Sequence, residues 1–301
     1  MRDVRPAGPA LPLFLRPPLG DRTMWASTST DGGPPMSHPF REAARLLWEH
    51  RQASTVLDAL PAPLFPEDAD QGHAIQAELP AVAGQAVVGW KIAATSAAGQ
   101  AHIGVPGPLP GRILAGFVRP PGEPISLRGN RMRVAEPEFA FRFGRDLPPR
   151  AAPRTLADVM AAVATLHPAF ELPDSRYADF VRAGQAQLLA DDACCGVFVF
   201  GPAAPEGWRA LDLATHRVHA TVHAADGRPR LRREGEGRAA LGDPRLALTW
   251  MVNELAARGV ALHAGQTVST GTCMVPLEVA PGDRVEADYG ALGRIALGLL
   301  A

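Results

Sequence analysis

The residues best suited to chemistry in this chain are three glutamates and one lysine. Glu136 and Glu138 lie two positions apart in Val134-Ala-Glu-Pro-Glu-Phe-Ala-Phe-Arg-Phe143. Side chains alternate between the faces of a strand, so Ala135, Pro137, Phe139, Phe141 and Phe143 would line one side. Val134, Glu136, Glu138, Ala140 and Arg142 would line the other. The first side is apolar and belongs against a core, while the second stands two carboxylates side by side. Close like charges raise each other's pKa unless something positive sits between them. A divalent cation with oxygen ligands is the usual remedy. A solvated strand face is the commoner meaning of an isolated Glu-x-Glu, so the rest of the chain decides. Glu171 is a third carboxylate, in His167-Pro-Ala-Phe-Glu-Leu-Pro-Asp-Ser-Arg176, where it shares a face with His167 and Ala169. In that apolar setting it either meets water or is satisfied by a ligand.

Lysine is the fourth. Lys and Arg together number 30, yet Lys91 is the only lysine in the chain. Arginine does not replace lysine where a compact, deprotonatable point charge is wanted. Gln85–Thr95 reads as a strand with Val88, Trp90 and Ile92 on one face and Gly89, Lys91 and Ala93 on the other. Lys91 then projects between small residues, with room for something to dock beside it; an edge-strand lysine at the surface is the plainer alternative.

Other elements must position these four. Phe40, Ala44, Leu46, Leu47 and His50 recur at helical spacing and predict a helix over His38–Gln52. A second is expected from Pro66-Glu-Asp through Leu79, closed by Pro80. Gly104–Leu127 is broken by proline and glycine and is expected as loops and short strands near the surface. Thr155 with Asp158 forms a capping-box pair opening a helix. Arg217–Ala224 and Pro229–Arg232 flank Asp226-Gly227 as a hairpin. Asp243, Pro244 and Gly259 bound a further helix. Residues 1–36, rich in Pro, Gly, Ser and Thr, are expected as a disordered leader, with Met36 a candidate natural start.

Composition excludes several classes. A net charge of -1 and a pI near 6.8 give no footprint for nucleic acid. No apolar run is long enough to cross a bilayer. Cys194, Cys195 and Cys273 form neither a disulfide framework nor a Cys-x-x-Cys pattern, which fits a reducing, cytoplasmic setting. His219 and His223 alternate with valine and alanine in the hairpin, as surface histidines commonly do.

The segments Gly89-Trp-Lys-Ile, Glu136-Pro-Glu-Phe-Ala-Phe, Glu171-Leu-Pro-Asp-Ser-Arg, Ala190-Asp-Asp-Ala, Leu241-Gly-Asp-Pro, Ala264-Gly-Gln with Ser269-Thr-Gly-Thr, and Pro281-Gly-Asp occur in that order. Each is weak alone; the ordered set resembles the fumarylacetoacetate hydrolase superfamily, in the branch of the 2-keto-4-pentenoate hydratases and 4-oxalocrotonate decarboxylases. The resemblance implies an α+β fold, a mixed β-roll over residues 85–301 with an N-terminal helical cap over 37–84, as one catalytic domain. It implies magnesium or manganese held by Glu136, Glu138 and Glu171, with Lys91 as the family's strand lysine. Where hydratases commonly carry an Asp after the lysine strand, this chain has Leu114-Ala-Gly-Phe, with Gly116 in its place. Asp192 stands where an Asn is usual.

The expected activity is a metal-dependent hydro-lyase acting on a small 2-oxo (2-hydroxy-dienoic) acid, with a homo-oligomer implied by analogy. Alternatives are decarboxylation of 2-oxo-hexenedioate, C–C hydrolysis of an acylpyruvate, and a non-catalytic member that binds an oxo acid. Ser96, Thr270 and Thr272 are expected contacts for the substrate carboxylate, since hydroxyls and Gly-flanked amides suit an anion. His167 is a further residue within reach of such a pocket, and Asp174 with Arg176 a structural pair behind it.

Overall fold

A computed structural model describes residues 39–301; the expected leader at 1–36 lies outside them. The helices are α1 (Pro39–Ala53), α2 (Ala69–Ala83), α3 (Ala97–His102), α4 (Leu156–Met160), α5 (Gln185–Ala190) and α6 (Pro244–Ala257). The strands are β1 (Val87–Ala93), β2 (Leu109–Leu114), β3 (Val118–Arg119), β4 (Ile125–Ser126), β5 (Val134–Phe143), β6 (Val163–Leu172), β7 (Val197–Phe200), β8 (Arg217–His223), β9 (Pro229–Glu236), β10 (Thr267–Thr272), β11 (Leu277–Glu278), β12 (Arg284–Asp288) and β13 (Arg294–Leu300). They form two sheets. The larger runs β2-β1-β10-β5-β6-β7-β3, with β11 paired to β5; the smaller runs β4-β13-β12-β8-β9.

The local chemistry of the sequence explains most boundaries. Asp68 caps α2 through Gln71 N–H, Thr155 and Asp158 close a capping box on α4, and Asp243 caps α6 with Pro244 at its first position. Two expectations change. Pro80 does not end α2, which continues to Ala83 and closes at Gly84 in the left-handed conformation. Proline in the last turn removes a single hydrogen bond, so the helix survives it. The Gly- and Pro-broken stretch after residue 104 also yields β2, whose Leu109, Ile113 and Leu114 are fully buried beside β1. Its place beside a buried strand, not its composition, settles the outcome.

The main core lies between the sheets. Phe139, Phe141 and Phe143 from β5 meet Leu166 and Phe170 from β6, and Val218, Val222, Val285 and Leu297 from the smaller sheet. Tyr289 donates its hydroxyl to the carbonyls of Glu138 and Ala169, tying that sheet to the centre of β5 and β6. A second cluster, Ala43, Leu47, Ile75, Tyr177 and Ala190, joins α1, α2 and α5 into a helical layer. The result is the mixed α+β architecture expected from the sequence.

Candidate active site

β5 and β6 are antiparallel, with Glu136 opposite Glu171 and Glu138 opposite Ala169. Glu138 and Glu171 are buried and Glu136 is half-buried. One oxygen from each of the three lies within 4.8 Å of the others. The protein satisfies this cluster only in part. Glu138 Oε2 accepts Ser269 Oγ (2.5 Å) and Gly271 N–H (3.0 Å), and Glu171 Oε1 accepts Gly196 N–H (3.2 Å). Glu138 Oε1 and Glu171 Oε2 have no protein partner at all.

Buried carboxylate oxygens without partners are costly. Burial, reinforced by Glu171 and Glu136, pushes Glu138 well above its ordinary value against the pull of Ser269. Burial and Glu171 likewise push Glu136 up to about 7, and burial raises Glu171 against the pull of Lys91. A hard divalent cation takes oxygen ligands and would satisfy both orphaned atoms at once. The donor set therefore fits such an ion, and Glu136, Glu138 and Glu171 are the residues that could hold it.

Lys91 is fully buried beside them, with Nζ 3.2 Å from Glu171 Oε1 and donating to the Ala193 carbonyl at 2.8 Å. Burial opposes its charge, but Glu171, the two neighbouring thiols and Glu136 outweigh that, holding the ammonium above its usual pKa. With the carboxylates as neighbours, Lys91 favours its ammonium form. Gly111 lies opposite it on β2, and a Cβ there would come within 2.6 Å of the Asp192 carbonyl and 3.0 Å of Lys91 Cγ. The close approach requires glycine.

The carbonyl on Lys91 comes from an unusual segment. Asp192, Ala193 and Cys194 all have left-handed backbone, at φ of 55°, 54° and 57°. That conformation costs about 1–2 kcal/mol for each such residue. The surroundings hold the turn closed: Asp192 Oδ1 accepts Arg112 N–H (2.7 Å), Asp191 Oδ2 accepts Ser175 Oγ (2.6 Å) and Arg176 N–H (2.8 Å), and Asp174 N–H donates to the Cys194 carbonyl.

Lys91 and Glu136 open onto a cavity of about 850 Å³. Its walls are largely apolar, with Ile103, Leu109, Phe180, Leu188 and Met274 among them, and Arg131 and His102 add polar groups. Ser96 and Thr272 also line it. Ser96 Oγ caps α3 by accepting Gly99 N–H and keeps its own proton free to donate, whereas the Thr272 hydroxyl donates to the Met274 carbonyl.

Thr270 must be corrected. It is fully buried, it is not part of the cavity wall, and its hydroxyl donates to the Phe139 carbonyl. Ser269 and Gly271, not Thr270, bond Glu138 from β10, and a register irregularity between Ser269 and Thr272 lets Thr272 line the cavity as well. Alternation before that irregularity sets Ser269 on the opposite face from Thr270, a signal that sequence reasoning passed over. Gly116 is exposed, its N–H donates to Gln85 Oε1, and it is not part of the cavity wall. The ring nitrogens of His167 bond to Thr165 and to the Gly201 carbonyl, outside the cavity. His219 lies beside Glu234 of β9 and His223 beside Glu286 of β12. Asp174 and Arg176 do form a buried ion pair. All three cysteines are buried and free, and burial pushes Cys194 up to about 12, which leaves it an inert thiol.

Comparisons with known proteins identify the family. The family model described as fumarylacetoacetate (FAA) hydrolase C-terminal matches residues 114–298. The TodF product hydratase of Pseudomonas putida F1 is 31% identical over 85% of this chain and 93% of its own. The 2-keto-4-pentenoate hydratase of Burkholderia vietnamiensis is 34% identical over 76% of this chain and 85% of its own. Among solved structures, 4-oxalocrotonate decarboxylase from Pseudomonas putida G7, complexed with magnesium and adipate, superposes with a TM-score of 0.75 at 25% identity, covering 87% of this chain and 97% of that one.

Proposed function

The chain belongs to the fumarylacetoacetate hydrolase family, and we propose that within it the protein is a divalent-metal-dependent hydro-lyase of the 2-keto-4-pentenoate hydratase type. Its substrate would be a small 2-oxo acid in the 2-hydroxy-dienoic form, hydrated to a 4-hydroxy-2-oxo acid. The observation that carries the reading is the pair of orphaned oxygens, Glu138 Oε1 and Glu171 Oε2, beside a buried ammonium at the base of an apolar cavity.

Glu136, Glu138 and Glu171 would hold magnesium or manganese; when bound, the ion supplies Lewis-acid polarisation of the 2-oxo group. Lys91 meets the anionic end of the substrate. An ammonium has three donors, and two point at Ala193 and Glu171, leaving one for a carboxylate. As an ammonium beside Glu171, Lys91 has the task of offsetting negative charge as the dienol ketonises. Ser96 and Thr272 line the space around that carboxylate, and Ser96 still has a proton to donate. The largely apolar walls accept the carbon tail.

A second reading rests on Arg131. It lines the same cavity, and its side chain has no ion-pair partner among the described residues. A distal carboxylate would meet it, which favours a 2-oxo-hexenedioate and loss of carbon dioxide in place of hydration. No helix among the described residues is long and apolar enough to cross a membrane, and a cytoplasmic homo-oligomer belongs to the same proposal.

The test is magnesium-dependent consumption of freshly generated 2-hydroxypenta-2,4-dienoate, run with Glu138→Gln and Lys91→Arg. Formation of the hydroxy-keto acid by wild type and its loss in both variants is the expected result. Release of carbon dioxide from 2-oxo-hexenedioate without hydration of the dienol selects the second reading. Inactivity on both sinks the proposal.

A further inference from the structure

Three consecutive left-handed residues, none of them glycine, need an explanation. L-residues enter this region singly as a rule, because Cβ crowds the next carbonyl oxygen. Strain of this kind persists where the surroundings over-determine it, and it marks segments whose exact shape is used. The run Asp192-Ala193-Cys194 lines part of the cavity and delivers to Lys91 the Ala193 carbonyl, 2.8 Å from Nζ. Because φ and ψ set the direction of a carbonyl, an extended or right-handed Ala193 would point its oxygen elsewhere.

Asp192 is the fastening. Its Oδ1 accepts Arg112 N–H, next along β2 from Gly111, the residue opposite Lys91. Its own carbonyl packs over Gly111, where no Cβ intervenes. Strand and turn thus enclose the lysine stem from two sides, and Asp192 joins them.

We propose that Asp192 is a positioning residue for Lys91: its carboxylate pins the left-handed turn to β2, and the turn's Ala193 carbonyl fixes the ammonium so that its remaining N–H faces the anionic end of the substrate. The proposal rests on the reading of Lys91 as the substrate-facing cation, and it deepens that reading. Asp192 is not part of the carboxylate cluster; it acts on Lys91 through the backbone of the turn. D192N and D192G both remove its charge, so only the loss of the turn distinguishes them.

Because Lys91 is the only lysine among 301 residues, full-length protein grown with lysine labelled at 13Cε gives a single lysine side-chain resonance. The spectrum is recorded for magnesium-loaded wild type, Asp192→Asn and Asp192→Gly, with kcat and KM for the dienol measured on the same samples. Asparagine keeps an Oδ1 acceptor and tolerates the left-handed region. Glycine enters that region without strain but has no acceptor. The expected result is one narrow resonance, retained in D192N and shifted, broadened or split in D192G. kcat should fall at least tenfold in D192G and less than threefold in D192N, with KM changing less than kcat in D192G. A wild-type Lys91 resonance in D192G overturns the proposal whatever the kinetics, and so does a D192N resonance displaced as far as that of D192G. Should D192G fail to fold, Asp192→Ser, whose hydroxyl is too short to reach the Arg112 amide, takes its place in the comparison. Absence of turnover by wild type sinks the hydratase reading and leaves the resonance comparison to decide the positioning role.

Discussion

Glu136 and Glu171 stand directly opposite one another across the β5–β6 pair. Two carboxylates facing each other on neighbouring strands repel, and like charges so placed are destabilising. Glu138, fully buried on the same face, makes the arrangement worse. The repulsion is relieved by positive charge among the carboxylates, of which Lys91 supplies one unit, or by protons they retain.

Removing one carboxylate charge should therefore separate function from stability. Glu138→Gln is expected to lower magnesium affinity by at least tenfold and turnover by about a hundredfold, in line with the loss of a metal-site group. In the absence of metal, at a pH high enough to ionise this buried carboxyl, the same variant should melt higher than wild type, because a neutral amide replaces a repelled charge. Calorimetric titration with magnesium and melting in EDTA check the two halves; a lower melting temperature in EDTA would count against the repulsion argument.

Stability should depend on pH with a definite sign. Folded Glu136 keeps its proton to about 7, against an ordinary value of 4.5. Asp192, raised to about 7 by burial against its Arg112 N–H bond, acts in the same direction. Between those values the folded chain binds more protons than the unfolded one, so metal-free stability falls as pH rises through the window. Exposed carboxylates held low by their hydrogen bonds, such as Asp158 and Asp212, act only below it. Magnesium competes with those protons, so its stabilising increment grows with pH. Thermal melts from about pH 5 to pH 8, with EDTA or magnesium, should show both slopes; a metal-free melting temperature that climbs over this range contradicts the assignment.

Ser269→Ala removes the 2.5 Å hydrogen bond to Glu138 Oε2 and leaves Gly271 N–H alone to orient that carboxylate. A loss of about 10- to 100-fold in magnesium affinity is expected from such a supporting partner. Metal-free stability should fall by about 1–3 kcal/mol, because a buried acceptor loses a donor. Thr270→Val next door should leave KM near wild type, since that hydroxyl is engaged by the Phe139 carbonyl. Equal effects of the two variants on KM would reverse the placement of β10.

Gly111→Ala inserts a methyl 2.6 Å from the Asp192 carbonyl and 3.0 Å from Lys91 Cγ. Backbone cannot yield as a flexible side chain does, so a cost of about 1–3 kcal/mol is expected. The displaced lysine should also lower kcat. Chemical unfolding and steady-state kinetics measure the two effects, and wild-type values in both would show that β2 and the turn have slack between them.

The sequence by itself determined the four central residues and much of their framing. The alternation along Val134–Phe143, the solitary lysine at Lys91, the capping pairs at Thr155 and Asp243 and the hairpin at Asp226-Gly227 are local signals. They depend on spacing of two or 3.6 residues and on single side chains bonding nearby backbone, so they survive without knowledge of the fold. Tertiary structure alone decided that Glu136 faces Glu171, that Ser269 rather than Thr270 serves Glu138, and that Leu109 and Leu188 wall the cavity. It also decided that Gly116, chosen by its place in the chain, is not part of the cavity wall. The left-handed turn at Asp192 was not legible in the sequence: Asp tolerates that region, but Ala and Cys, which follow it there, do not favour it. Its conformation is imposed by Arg112, Asp174, Ser175 and Arg176, which reach it only after the strands have paired. Register and long-range hydrogen bonding join residues distant in the chain, and no periodicity within a segment encodes such a meeting.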